Sequence, residues 1–264
     1  AIYTPEEESS PHIRYADEAY SLGEGDLSQT YLNINKIIKI AKESNAQAIH
    51  PGYGFLSENS VFAKEVEEAG LIFIGPKVVH IELMGDKIAS KDRMSHLGVP
   101  VIPGYHGGEK SIDSLRNEAI KIGFPLLIKA SAGGGGKGMR IVEREEDFST
   151  SLESAKREAK TAFGNDNILL ERYIRRPRHI EVQVMSDEHD QHLHLFEREC
   201  SIQRRHQKII EETPSLALNH DLRKKITEMA TRISESINYR GAGTVEFILD
   251  EDESFYFLEM NTRL

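Results

Sequence analysis

The sequence predicts a soluble chain of the α/β and α+β classes, laid out as consecutive units. Three observations predict it. Up to about residue 74, short apolar runs alternate with segments of helical period. Residues 101–173 mix strands and helices around a glycine-rich stretch. From residue 174 onward, alternating strand patterns dominate and imply a mainly antiparallel sheet with one long helix. The chain has 264 residues, 39% hydrophobic and with no long apolar run, so it carries no membrane span and no secretory segment. A net charge of −10 argues against a general nucleic-acid binder but leaves room for a local basic pocket. Cys200 is the only cysteine, which excludes an intrachain disulfide and fits a reducing compartment.

The first unit covers 1–74. Leu32, Ile34, Ile37, Ile38 and Ala41 recur at helical spacing within 31–44. Ala48-Ile49 reads as a short strand, followed by the turn Pro51-Gly52-Tyr53-Gly54. Residues 61–69 form a second helix capped at Asn59-Ser60, and Leu71-Ile72-Phe73-Ile74 reads as a buried strand. The β-α-β-α-β order implies one parallel sheet. Residues 75–100 are a helical linker, with helices at 78–84 and 87–97 and Lys87 at the second start. The unit at 101–173 holds a strand near Val101-Ile102, a helix at 111–122, a glycine hairpin, a helix at 145–163 and a strand at 168–173, and resembles a lid. In the last unit, 174–264, the strands at 180–184 and 193–196 pair around a turn at 187–191, and 221–238 form one helix capped by Asp221.

The chain is organised around Lys129-Ala130-Ser131-Ala132-Gly133-Gly134-Gly135-Gly136-Lys137-Gly138. Phe124-Pro125-Leu126-Leu127-Ile128 leads in and Met139-Arg140-Ile141-Val142 leads out, so the glycines form a hairpin tip. Without Cβ atoms, successive backbone N–H groups can close around an anion. Lys129 and Lys137 add positive charge at both ends, which suits nucleotide phosphates. A dinucleotide fold needs a helix to start at such a loop, and a strand follows instead. A P-loop needs Ser or Thr after its lysine, and Gly138 stands there.

A second constellation lies near the C-terminus. Residues 243–250 and 255–261 flank the polar turn 251–254. Pairing Asp250 with Phe255 sets Ile248 opposite Phe257 and Glu246 opposite Glu259. Directly opposed side chains have Cβ atoms about 5 Å apart, and two carboxylates that close call for a cation. Asn261 extends the same face. Only oxygen ligands are offered, which selects Mg²⁺ or Mn²⁺ over zinc.

Residues 197–212 gather four cations among acids and suit a small anion or a salt-bridged surface loop. His189, His192 and His194 fall on and beside a hairpin turn and read as solvated. Arg175-Arg176-Pro177-Arg178-His179 is a charged loop in which His179 can face a nucleotide, and Cys200 has no sign of being a nucleophile.

Taken together, His50-Pro51-Gly52-Tyr53-Gly54-Phe55-Leu56-Ser57-Glu58-Asn59, Met84-Gly85-Asp86-Lys87, the glycine loop, Arg176-Pro177-Arg178-His179-Ile180-Glu181, residues 203–212 and Glu259-Met260-Asn261-Thr262-Arg263 resemble the biotin carboxylase component of biotin-dependent carboxylases, in the ATP-grasp superfamily. Gly104-Tyr105-His106-Gly107 is similar to the methylcrotonoyl-CoA carboxylase branch. The resemblance implies an ATP-grasp fold with a partial Rossmann-like N-terminal domain, a lid and a truncated C-terminal domain. It implies ATP, Mg²⁺ or Mn²⁺, bicarbonate and carrier-linked biotin as ligands, and an ATP-dependent ligase reaction through carboxyphosphate. It places Lys87, Lys129 and Gly133, Gly134, Gly135, Gly136, Lys137 and Gly138 on the phosphates. It places Glu171, Arg172, Tyr173 and Ile174 at the adenine, with His179, Gln203 and His206 near the nucleotide. Glu246, Glu259 and Asn261 are the implied metal ligands; Lys208 and Arg263 are the implied groups for bicarbonate and biotin.

The implied partners are a biotin carboxyl carrier domain or protein, a carboxyltransferase subunit and further copies of the chain, with no nucleic acid and no membrane. The implied location is the bacterial cytoplasm or the mitochondrial matrix. The sequence opens on what reads as a strand end and stops at Leu264 inside the family's catalytic motif, so this chain alone is expected to be catalytically incomplete. Two other readings stay open: another ATP-grasp ligase of the carbamoyl-phosphate synthase kind, and a non-catalytic nucleotide-binding module.

Overall fold

The computed structural model describes residues 1–106, 111–130, 139–204 and 207–264, with the side chain of Phe163 excepted. The N-terminal unit contains β1 (Ile2–Tyr3), α1 (Pro11–Arg14), β2 (Tyr20–Ser21), α2 (Ile34–Glu43), β3 (Ala48–Ile49), α3 (Ser60–Glu68) and β4 (Ile72–Phe73). Asparagine side chains start both long helices: Asn33 accepts from the Lys36 N–H and Asn59 from the Phe62 N–H. The strands pair in parallel as expected, β1 with β2 and β3 with β4. They form two separate sheets, however, rather than one. Each of these strands is only two residues long. The expected burial of 71–74 also needs correction. Phe73 points inward at 2% exposure and meets Phe62 edge to face, whereas Ile72 is 63% exposed. Strand side chains alternate, and α3 covers one face only.

Helices α4 (Val78–Gly85) and α5 (Lys87–His96) form the linker, and Asp86 caps α5 by accepting from the Ile88 and Ala89 N–H groups. The expected lid strand at Val101-Ile102 is not there. Val101 instead bridges Phe257 in parallel, and the Phe257 N–H donates to the Pro100 carbonyl. This segment thus runs along the edge of the C-terminal sheet, and the next sheet begins at β5 (Gly104–Tyr105).

In the lid, α6 (Ile112–Ile122) and α7 (Phe148–Phe163) pack on a sheet of β6 (Leu126–Ala130), β7 (Arg140–Val142), β8 (Ile168–Arg172) and β5, in the order β5-β8-β6-β7. Leu126, Ile128, Leu170, Phe148 and Leu152 fill its core. Leu126 pairs with Val142 and Ile128 with Arg140, as the glycine hairpin requires. The hairpin tip, with Gly133, Gly134, Gly135, Gly136, Lys137 and Gly138, lies outside the described residues.

The C-terminal unit is an antiparallel sheet in the order β11 (Gln207–Glu212), β10 (His192–Arg204), β9 (Arg178–Ser186), β12 (Gly241–Leu249), β13 (Phe255–Asn261). Helix α8 (His220–Ser236) covers one face. Its cap is Asn219, which accepts from the Leu222 N–H; the expected cap, Asp221, sits inside the first turn. Ile180, Val182 and Val184 of β9, Val245 and Phe247 of β12, and Ile226, Ala230 and Ile233 of α8 are completely buried together. Burial of each large apolar side chain contributes about 1.5–3 kcal/mol, so this layer holds the strands that carry the opposite face.

Candidate ATP-grasp site

The period of two that buries Ile180, Val182 and Val184 sends His179, Glu181 and Gln183 to the other face of the sheet. Glu246 lies directly beside Glu181 in the β9–β12 ladder. Two buried carboxylates so placed repel, and cations from neighbouring strands resolve the conflict. Lys208 of β11 donates to both, at 2.7 Å from Glu246 Oε1 and in close contact with Glu181. Arg198 of β10 donates from Nε to Glu181 Oε1 at 2.6 Å. Asn261 Nδ2 donates to Glu246 Oε1 at 2.6 Å. His179 Nε2 stands 2.6 Å from Glu246 Oε2, and Gln203 Nε2 stands 2.8 Å from His179 Nδ1. A neutral imidazole with its proton on Nε2 satisfies both contacts: it donates to the carboxylate and accepts from the amide.

The electrostatics follow from these contacts. Burial favours the neutral form of Glu246, but hydrogen bonds from His179 and Lys208 outweigh it and hold the carboxyl down at about 2. Burial opposes the Lys208 charge, yet its bonds to Glu181 and Glu246 leave its pKa above the ordinary lysine value. Cys200 is fully buried, and burial pushes its thiol up to about 12, so it is no nucleophile, as the sequence implied.

The expected opposition of Glu246 and Glu259 is present, but not through the expected register. Leu249 pairs with Phe255 and Phe247 with Phe257, one residue away from the Asp250–Phe255 alignment. The turn therefore spans 250–254, closed by a bond from the Asp250 N–H to the Ser254 carbonyl, with Glu253 at φ 65°. A bulge at Leu258 then shifts the ladder back, so Glu246 meets Glu259 and Thr244 meets Asn261. Glu259 has no hydrogen-bonding or ionic partner among the described residues. His179, Glu181 and Glu246 offer ligand atoms within 4.8 Å of one another. With Glu259 opposite, this oxygen-rich set fits a hard divalent cation. His189 is exposed on the turn as expected, but His192 and His194 are half-buried on β10, with His192 Nδ1 2.8 Å from Ser186 Oγ; neither joins such a group among the described residues.

Lys129 and Glu171 meet across adjacent lid strands: β6 sends Lys129 to one oxygen of the Glu171 carboxylate, and α5 sends Lys91 to the other. Arg172 ties β8 to the β12–β13 hairpin, donating to Asp250 Oδ2 at 3.1 Å and the Tyr256 hydroxyl at 2.8 Å. The Tyr173 N–H donates to the Pro125 carbonyl, and Ile174 is buried. Lys87 is exposed at the start of α5. Arg263 Nε lies 3.5 Å from Glu58 Oε2, and Glu58 also accepts from the Thr262 N–H at 2.8 Å. His206 lies outside the described residues.

Sequence reasoning missed Lys91, Glu181, Arg198 and Glu58 as members of these clusters. Glu181 carried a readable signal, since it lies two residues from His179 and therefore on the same strand face. Lys91 carried a weaker one, four residues after Lys87 on a helix.

Residues 86–264 match the family described as the ATP-binding domain of the carbamoyl-phosphate synthase L chain, and residues 1–81 match the N-terminal domain of biotin carboxylase. The chain belongs to the biotin carboxylase family. Over its whole length it is 57% identical to the mitochondrial methylcrotonoyl-CoA carboxylase subunit alpha of Dictyostelium discoideum and covers 38% of that protein. It is 49% identical to the pyruvate carboxylase of Bacillus subtilis, covering 23% of it. Among solved structures, the biotin carboxylase of Campylobacter jejuni in its β,γ-ATP complex superposes with a TM-score of 0.92 at 46% identity, over 100% of this chain and 59% of that one. The biotin carboxylase domain of the Hydrogenobacter thermophilus 2-oxoglutarate carboxylase, bound to MgADP and bicarbonate, gives 0.90 at 48%, over 100% of this chain and 58% of that one. The chain thus spans under two thirds of these relatives. Its fold is the ATP-grasp fold, in the α/β class. No helix among the described residues is long and apolar enough to cross a membrane.

Proposed function

We propose that the protein carrying this chain is the biotin carboxylase of an acyl-CoA carboxylase of the methylcrotonoyl-CoA kind. It uses ATP to activate bicarbonate as carboxyphosphate, and the carboxyl group passes to N1′ of carrier-linked biotin as phosphate leaves. The observation that carries this reading is Lys208 held between Glu181 and Glu246, opposite Glu259. It places an anchored cation beside carboxylates suited to a metal, as phosphoryl transfer by positioning and charge demands.

Each residue has a role in this reading. Lys87, Lys129 and the 133–138 loop bind the phosphates, and 171–174 border the adenine. His179, Gln203 and His206 line the nucleotide. Glu246 and Glu259, with Asn261, hold Mg²⁺ or Mn²⁺, whose chemistry when bound is to neutralise phosphate charge. Lys208 binds bicarbonate, and Arg263, oriented by Glu58, stabilises anionic biotin. The domains we infer are 1–74, a linker at 75–103, a lid at 104–173 and a grasp core at 174–264. The partners are a biotin carrier, a carboxyltransferase and further copies of the chain, in the bacterial cytoplasm or the mitochondrial matrix.

The test is ADP release by the intact protein. Release that requires bicarbonate and rises with free biotin supports the reading. Release that instead requires ammonia and yields carbamoyl phosphate would favour the related ligase named by the longer family match.

A further inference from the structure

We propose that Lys91 is a positioning residue for nucleotide binding: it keeps Glu171 paired so that Lys129 can leave that carboxylate for the phosphates of ATP. The inference rests on the ATP site proposed above and adds a residue to it. Lys91 is 6% exposed, unusual for a lysine, and its ammonium contacts one oxygen of Glu171 while Lys129 contacts the other. Glu171 itself is 1% exposed. Two lysines therefore share one buried carboxylate, and exposed Lys87 stands one turn before Lys91 on α5. Three lysines gather around this one buried carboxylate, with Asp92 as a further acid near His106. His106 adds no further positive charge: burial, with Lys91 beside it, lowers its pKa, and its buried Nδ1 has no hydrogen-bond partner. Such a cluster has a charge to spare for an incoming anion.

The division of labour follows from exposure. The Lys129 side chain is 22% exposed and sits on the strand leading into the glycine loop, so it can move to a ligand; the Lys91 side chain, at 7%, cannot. If Lys129 moved with no Lys91 present, a buried carboxylate would be left unpaired, which is strongly unfavourable. Without Lys91, then, Glu171 retains Lys129 and competes with ATP for it.

Calorimetry of ATP binding to the intact protein tests this, with KM and kcat measured beside it. In Lys91→Met, ATP binding weakens by about tenfold or more, as expected for loss of one charge-assisted contact, and KM rises while kcat at saturating ATP holds. Lys91→Arg keeps the charge and binds close to the wild-type value. Adding Glu171→Gln to Lys91→Met frees Lys129 and restores binding; a merely structural defect would not be rescued this way. Should Lys91→Met fail to fold, Lys91→Gln decides: it keeps a hydrogen bond to Glu171 without the charge, and ATP binding is expected to weaken as in Lys91→Met. Undiminished binding in Lys91→Met or Lys91→Gln, or a double variant as weak as the single one, would overturn the proposal. Absence of ATP binding by the unaltered protein would instead remove the underlying site assignment, and this inference with it.

Discussion

Glu246 and Glu259 oppose each other across β12 and β13, yet Glu246 alone is supplied with partners among the described residues. His179, Lys208 and Asn261 all converge on it, while Glu259 is left half-buried and unpaired. One arm of the pair is already fixed and ionised, and the other is free to receive a cation. This asymmetry suits a site in which the metal arrives with its nucleotide.

The first prediction concerns that pair. Exchanging both residues, Glu246→Gln with Glu259→Gln, is expected to abolish the Mg²⁺-dependent part of ATP binding measured by calorimetry, with the circular dichroism spectrum unchanged. Binding that keeps its Mg²⁺ dependence in the double variant would remove these residues from the metal site.

Lys208 is the second target. Lys208→Met takes away the cation between Glu181 and Glu246. Bicarbonate-dependent ATP cleavage should fall by about 10²–10³-fold, the usual cost of one charged group aimed at a transition state. ATP affinity should change far less, and a parallel loss of both would make Lys208 a nucleotide-binding group.

A third prediction is a pH dependence. Glu171 is held at about 2, against an ordinary 4.5: burial alone would raise it, and Lys129 and Lys91 bring it down. A depressed carboxyl contributes stability that is complete above its unfolded value and is lost as pH falls through its folded value. The contribution, on the order of 3 kcal/mol, should therefore vanish between about pH 4.5 and 2. Thermal melts across that range should show a steep fall in Tm for the wild type and a shallower one for Glu171→Gln. Equal slopes would mean that the ion pairs add nothing to stability.

The fourth concerns the layer behind the site. Phe247 is fully buried and meets Phe255 edge to face at 5.7 Å. Phe247→Ala should cost about 3–5 kcal/mol, read as a lower urea midpoint with an unchanged m value. A loss below about 1 kcal/mol would mean that the core closes over the gap.

Local patterns made much of the fold readable in advance. Helices α2, α3, α6 and α8 lie within a few residues of where periodicity put them, because their apolar stripes face real cores. The turn 187–191 is present because Asp187 accepts from the His189 and Gln191 N–H groups. What was not legible depended on distant partners. Lys91 and Glu171 are 80 residues apart, and no local pattern announces their contact. The parallel sheet of the N-terminal unit was overread because strand length is set by tertiary pairing. The carboxylate pair was placed correctly through two errors that cancel: the turn is one residue longer than supposed, and the Leu258 bulge absorbs the difference. A clue was available, since Phe257 and Met260 are both buried, and residues three apart cannot share a face of a regular strand.

That bulge also separates two parts of the hairpin mechanically. On one side lies the acidic loop 250–254, bound to β8 through Arg172; on the other lie Glu246, Glu259 and Asn261. On β13 the extra residue Leu258 stands between the loop and Glu259, while Glu246 is fixed separately by the unbroken β9–β12 ladder. The loop is thus open to variation, or to engineered insertion, while the spacing of the acids stays the same.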